Sequence, residues 1–213
     1  TILAGGVYAL AITTKLVPLL FLPLFLLKVP FKKLVVFYSI IGVSVVVLFV
    51  PFLGIDLIET FGSSIRLYFK TFEFNASLYY VLREIGYWNV GYNTIHVIGK
   101  YTPMVVLGSV LLLIAFNIRK KKIVQVFKLI VWALLIYYAL ASIVHPWYTI
   151  YLLAFAVFTN YRFPIVWSGT IILSYTAYRE IGEVNEIPWL VSLEYLLVLV
   201  AVIWDLYRTR KLI

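Results

Sequence analysis

The sequence predicts an all-α fold, a polytopic membrane helix bundle, and three observations predict it. The chain is 64% apolar and 18% aromatic, with a mean hydropathy of +1.02. Only 13% of its residues are charged, against roughly 25% in a soluble domain. Apolar runs recur at the ~20-residue length that crosses a ~30 Å hydrocarbon core. Basic and acidic residues sort to alternate connections between those runs. Lipid offers no hydrogen bonds, so each span must satisfy its own backbone as a helix. The runs are continuous and lack the ten-residue alternation of a membrane β-barrel.

Seven candidate spans follow in order, at residues 2–27, 34–53, 103–118, 123–144, 147–159, 164–178 and 188–207. Together, residues 1–213 read as a single transmembrane domain. The first run holds Thr13-Thr14-Lys15-Leu16-Val17-Pro18 at its middle. Pro18 lacks a donor and crowds the preceding turn, so a kink or break near Thr14 is expected. A lysine at the centre of a span costs about 2.5–3.5 kcal/mol on insertion scales. Lys15 therefore either snorkels at a helix end or faces a cavity that holds an anionic lipid headgroup. The run at 147–159 is short, which suits a tilted or buried element, or one continuous with the span before it.

Residues 54–102 interrupt this pattern. They hold four of the nine acidic residues, four of the eighteen basic ones and one of the two histidines. Residues 55–72 place apolar side chains at helical spacing among Asp56, Glu59, Arg66 and Lys70, the pattern of an interfacial amphipathic helix. A second helix is expected from Asn75-Ala76-Ser77, with Asn75 as its N-cap and Leu78, Val81, Leu82 and Ile85 facing inward. Asn75-Ala76-Ser77 also matches an N-glycosylation sequon, a reading disfavoured at a packed membrane face. Gly86, Gly91 and Gly99 mark expected turns.

Charge sorting gives a sidedness. Lys28, Lys32, Lys33, Arg119, Lys120, Lys121, Lys122, Arg162, Arg208, Arg210 and Lys211 fall in short connections with one acid nearby, Asp205. The other connections carry Asp56, Glu59, Glu73, Glu84, Glu180, Glu183 and Glu186. By the positive-inside rule the first set is cytoplasmic and 54–102 is an external loop with interfacial helices. The net charge of +9 is thus distributed for topology and for anionic lipid headgroups, not for nucleic acid. The absence of cysteine excludes disulfides, thiolate metal sites and a cysteine nucleophile. The chain begins inside an apolar run without an initiator methionine, so we expect the C-terminal part of a longer polytopic protein.

The groups for chemistry are few. His145-Pro146-Trp147-Tyr148 closes a span at its outer end, where Pro146 stops the helix and presents His145. Trp147 and Tyr148 fit either an aromatic belt or the wall of a lipid groove. Glu194 lies inside the last span; an ionisable group there signals function, or it pairs structurally with Arg179 or Lys15. His96 reads as an ordinary interfacial residue. No HExxH, GxSxG, DxD or Gly-rich phosphate loop occurs, and no metal site is expected.

The long outer loop, the Phe74-Asn75-Ala76-Ser77 element followed by Arg83, the Thr14-Lys15 to Pro18 break and the outward His145-Pro146-Trp147-Tyr148 turn resemble, taken together, the C-terminal half of a GT-C type integral-membrane glycosyltransferase. The pattern is most similar to bacterial polyprenyl-phosphate-mannose-dependent mannosyltransferases, the glycosyltransferase family 87 type. That resemblance implies transfer of a sugar, mannose by analogy, from a polyprenyl-phosphate donor to a lipid-linked or glycan acceptor. It places the active face outside the cytoplasm, in a bacterial inner membrane. It implies an inverting displacement in which a carboxylate deprotonates the acceptor and cations stabilise the departing phosphate. The family's catalytic carboxylate lies in the first outer loop, a region this chain is expected to lack, so Asp56, Glu73 and Glu84 are not assigned as the base. The resemblance makes Lys15, Arg66, Arg83 and His145 donor-phosphate candidates. Asn75, Ser77, Trp147 and Tyr148 are sugar or lipid-groove candidates, with Glu84 and Glu194 as further ones. No cofactor is implied beyond the lipid-linked donor; the partners are membrane lipids and a glycan or glycolipid acceptor. A transporter or lipid flippase segment and a non-catalytic membrane scaffold are the competing readings.

Overall fold

The computed structural model describes residues 1–213 except 53, 55–58, 65–71, 119–121, 180–182 and 211–213, together with the side chain at 210. Among the described residues all the named elements are helical, with no named strand. Helix α1 covers Ile2–Thr14 and is followed by a 3₁₀ segment, Val17–Leu27. Helix α2, Phe31–Phe49, ends in the short 3₁₀ turn Val50–Phe52. Residues 59–64 are helical. Helix α3, Leu78–Val90, leads into α4, Ile95–Asn117, and α5, Ile123–Leu140. The 3₁₀ turn Pro146–Tyr148 opens α6, Thr149–Ala156. Helix α7, Phe163–Thr170, runs on as the 3₁₀ segment Ile171–Tyr178, and α8 is Pro188–Arg210.

Among the described residues, four helices are long and apolar enough to cross a membrane: Phe31–Phe52, Ile95–Asn117, Ile123–Leu140 and Pro188–Thr209. The protein is therefore an integral membrane protein. Their outer faces carry Val43, Val46, Leu112, Phe116, Ile203 and Trp204, all exposed, a surface that water would not tolerate at this extent. The other three expected spans resolve into shorter pieces. The 2–27 run breaks at Lys15, which takes an extended backbone at φ −158°, ψ 134°. This is the break that Pro18 predicts, and the Tyr8 hydroxyl donates to the Pro18 carbonyl at 2.7 Å.

Of four hydrophobic clusters among the described residues, the two largest hold most of the bundle. The larger is built mainly from α4, α5, α6, α7 and α8 around Val110, Leu134, Tyr138, Leu152, Trp167 and Val198. The smaller packs α1 on α2 through Ala9, Ile12, Phe37 and Ile41. Gly5 sets that spacing, because a Cβ there would meet the Ile40 Cγ2 at 2.7 Å. Small residues permit such close approach where lipid supplies no hydrophobic drive between helices.

Residues 54–102 differ from their sequence reading in four ways. Ser77, not Asn75, immediately precedes α3. Leu78, Val81, Leu82 and Ile85 are exposed, and Tyr79 is the buried residue of α3; the apolar stripe faces outward because the polar face of α3 is held to the bundle by hydrogen bonds. Gly86 and Gly99 lie inside helices, while Gly91 makes the turn after α3 at φ +78°. Gly86 is instead a contact point, since a Cβ would meet Thr94 Oγ1 at 2.2 Å. The helix expected over 55–72 is seen only at residues 59–64; Asp56, Arg66 and Lys70 lie outside the described residues.

Candidate functional site

The site begins where α1 breaks. The extended Lys15 interrupts the helical path, and its Nζ lies 5.2 Å from the Tyr148 ring centroid and 5.0 Å from that of Tyr151. Cation–π contact of this kind holds an ammonium without neutralising it. Lys15 lines a cavity of about 620 Å³. Val106, Val110, Leu140 and other apolar side chains make most of its wall, and Tyr79, Thr102, Tyr137, Ser142 and Tyr148 add polar atoms. Among the described residues that line it, Lys15 is the cation and none is a carboxylate.

His145 sits beside this cavity. Its ring stacks on Trp147 at 4.3 Å and 16°, and lies 5.2 Å from Phe74 and 5.5 Å edge-on to Tyr148. The residue is buried and its Nδ1 has no hydrogen-bond partner. Burial first, and the Lys15 charge second, push its pKa below the usual histidine value. His145 is therefore a neutral hydrogen-bonding group at pH 7, while the positive charge at this site belongs to Lys15. Trp147 is partly exposed and forms the outer layer of the stack. Tyr148 is placed by its own backbone, whose carbonyl accepts the Tyr138 hydroxyl at 3.0 Å.

The Phe74-Asn75 segment ties the 54–102 segment to this turn. Phe74 and Ile143 form a parallel bridge: Phe74 N–H donates to Ser142 O at 2.9 Å and Val144 N–H to Phe74 O at 2.8 Å. Non-helical backbone at this depth satisfies itself against other protein backbone, as lipid demands. Asn75 is fully buried in the left-handed region, at φ +46°. Its side-chain Nδ2 donates to Glu194 Oε1 at 3.1 Å, its N–H to Glu186 Oε1 at 2.5 Å, and its carbonyl accepts the Tyr195 hydroxyl at 2.5 Å. Asn75 thus pins the loop through its amide nitrogen and backbone, while its Oδ1 is buried without a partner. Ser77 donates its hydroxyl to Ala139 O at 3.2 Å.

Glu194 pairs with neither Arg179 nor Lys15. It accepts hydrogen bonds from Asn75 and from Trp167 Nε1 at 3.0 Å, and its Oε2 is buried without a partner. Arg83 is also committed elsewhere. It forms an ion pair with Glu73, and its Nη2 and Nε donate to Glu84 Oε1 at 2.8 and 3.2 Å. Its guanidinium lies 4.6 Å from the Tyr80 ring centroid. Burial alone lowers the Arg83 pKa, but bonds from Glu84 and Glu73 raise it overall. Glu73 further accepts from the Tyr79 hydroxyl at 2.6 Å and from Asn93 Nδ2 at 2.8 Å. Burial works to raise the Glu73 pKa, yet Asn93, Tyr79 and Arg83 together hold it below the usual carboxylate value.

Among the candidates, the structure brings Lys15, His145, Trp147 and Tyr148 together. Arg83 and Glu84 form a separate cluster, Asn75 and Glu194 a buried strut, and Arg66 lies outside the described residues. Sequence reasoning missed Tyr79 and Ser142, which line the cavity, and Glu186, whose two oxygens accept from Asn75 and the Tyr80 hydroxyl. The adjacent tyrosines after Ser77 were the available signal, since Tyr on an otherwise apolar helix face carries a hydroxyl that needs a partner. Among the described residues no group of three histidine or carboxylate side chains is placed to hold a metal ion. Chemically, the cavity suits an amphiphilic anion: an apolar body against the wall and a negative group at Lys15. No family model, curated protein or solved structure matches the chain.

Proposed function

We propose that the chain forms part of a membrane-embedded glycosyltransferase that uses a polyprenyl-phosphate-linked sugar, with mannose the leading candidate, at the extracytoplasmic face of a bacterial plasma membrane. The observation that carries this reading is Lys15: a helix break places one ammonium on the wall of an otherwise largely apolar cavity. Lys15 meets the donor phosphate, because charge-assisted bonds to phosphate oxygens are among the strong ones. Ser142 and the neutral His145 offer hydrogen bonds to phosphate or sugar, and Trp147 and Tyr148 flank the lipid. In the reaction an acceptor hydroxyl oxygen bonds to the anomeric carbon as the bond to the phosphate oxygen breaks. The electron pair leaves with polyprenyl phosphate, whose charge Lys15 stabilises, and the acceptor proton passes to a carboxylate. That carboxylate is supplied from outside the described cavity wall.

The same reading completes the topology. Helix α7 and its 3₁₀ continuation, eight residues each, extend roughly 28 Å at 1.5 and 2.0 Å per residue, close to the ~30 Å core. With the pieces at 2–27 and 146–156 this gives about seven crossings, which the sorting of lysine and arginine requires.

The test is sugar transfer from polyprenyl-phosphate-mannose by the full protein in vesicles. Lys15→Ala is expected to cut transfer by roughly 10–100-fold, the equivalent of about 1.5–3 kcal/mol for a hydrogen bond to a charged group, with Lys15→Arg recovering part of it. Unchanged transfer at normal membrane levels would contradict the assignment. Lipid translocation without transfer would favour a flippase.

A further inference from the structure

A second cavity lies on the other side of Lys15's neighbours. It measures about 820 Å³ and is lined by Ile12, Tyr38, Gly42, Val45, Phe49 and Gly62, with Leu16, Leu19 and Phe61. Those last three side chains also line the cavity that holds Lys15. The two spaces therefore meet at one apolar ridge, directly beside the cation.

Among the described residues, none that lines the second space is charged, and the phenol there, Tyr38, already donates to the Leu22 carbonyl at 2.7 Å. It is a space for hydrocarbon. Its floor is kept open by two glycines: a Cβ added at Gly42 or Gly62 meets nothing within 4 Å. Any larger residue at these points would project into the groove.

We propose that this groove takes the distal part of the same isoprenoid chain whose phosphate sits at Lys15, and that Gly42 sets the chain length the protein accepts. The chain passes from the first cavity over Leu16, Leu19 and Phe61 into the second. This rests on the polyprenyl-phosphate reading above. The selectivity comes from packing, because a chain in the bilayer is already out of water and gains no hydrophobic burial by entering. A groove of fixed shape rewards a chain long enough to fill it, through many small dispersion contacts.

The experiment measures binding of farnesyl phosphate and undecaprenyl phosphate to the full protein in phosphatidylcholine nanodiscs. Gly42→Trp is expected to weaken undecaprenyl phosphate about tenfold more than farnesyl phosphate. On the order of ten lost contacts at ~0.1–0.2 kcal/mol each correspond to that about tenfold loss. Val45→Phe, on the same wall, gives a second comparison should Gly42→Trp fold poorly. Lys15→Ala is expected to weaken both ligands alike. If both ligands bind and respond to Lys15→Ala, but the groove variants affect them equally or not at all, the groove holds ordinary bilayer lipid and this inference fails alone. If neither ligand binds, the polyprenyl-phosphate reading fails and the inference falls with it.

Discussion

At the scale of single residues, Asn75 does the most to position the site. It is a non-glycine residue with φ +46°, a conformation that costs an ordinary side chain about 1–2 kcal/mol and that Asn tolerates better. Its amide, N–H and carbonyl reach Glu194, Glu186 and Tyr195 respectively. Two substitutions separate these effects. Asn75→Gly keeps the backbone and loses the side-chain bond, a loss of about 1–3 kcal/mol when Glu194 is left less satisfied. Asn75→Ala loses the same bond and adds strain, so its melting temperature should fall below that of Asn75→Gly. Equal melting temperatures would show that the left-handed backbone is not fixed by this residue. None of this was legible in the sequence, where Asn before Ala-Ser reads as a helix cap. The cap reading failed because the chain turns once more before α3, and the carboxylates that hold Asn75 come from more than a hundred positions away. The Lys15 break, by contrast, was legible, since Pro18 acts on its own preceding turn and no distant partner intervenes.

Among elements, the informative one is α3. Local hydrophobic spacing put Leu78, Val81, Leu82 and Ile85 inward, yet they are exposed. In a chain whose solvent is lipid, an apolar face need not be the buried face, and polar bonds decide the orientation. Glu73 makes the principal bonds, accepting from Tyr79, Arg83 and Asn93. Its folded pKa lies below its unfolded value, because these donors outweigh burial. The stabilisation is therefore present above the ordinary carboxylate pKa and is lost as pH falls through the lower folded value. Hydrogen exchange of α3 amides should show protection that weakens below about pH 4, and Glu73→Gln should remove that pH dependence. A pH-independent α3 in the unsubstituted protein would contradict the clamp. Elsewhere a carboxylate secures an element from a distance: Asp205 on α8 accepts the N–H groups of Arg162 and Phe163 at 2.6 and 2.8 Å, satisfying donors that the start of α7 leaves open. In the sequence Asp205 registered only as the one acid among basic connections.

For the whole molecule, composition and charge sorting made the class plain, a helical integral membrane protein; about seven spans were expected, and among the described residues four helices are long and apolar enough to cross a membrane. The break in the first run and the shortness of the run at 147–159 were legible, but the 3₁₀ winding of Val17–Leu27 and Ile171–Tyr178 was not, because apolar composition does not distinguish 3₁₀ from α winding. The site was half legible. Lys15, His145, Trp147 and Tyr148 were visible as unusual residues in apolar surroundings, and the fold brings Lys15 and Tyr148 to one cavity, with His145 and Trp147 stacked beside it. Arg83 was misleading, since a charged residue in sequence does not reveal that Glu73 and Glu84 already hold it. The central claim is that this cavity binds a polyprenyl phosphate with its phosphate at Lys15. The most direct measurement is photo-crosslinking of the full protein in membranes with a polyprenyl phosphate carrying a photoreactive group near the phosphate, with labelled residues identified by mass spectrometry. The account predicts labels on Leu16, Leu20, Leu140 or Ser142, lost in Lys15→Ala. Labels confined to the outer faces of α2 and α8, or labelling of the cavity that Lys15→Ala leaves unchanged, would contradict it.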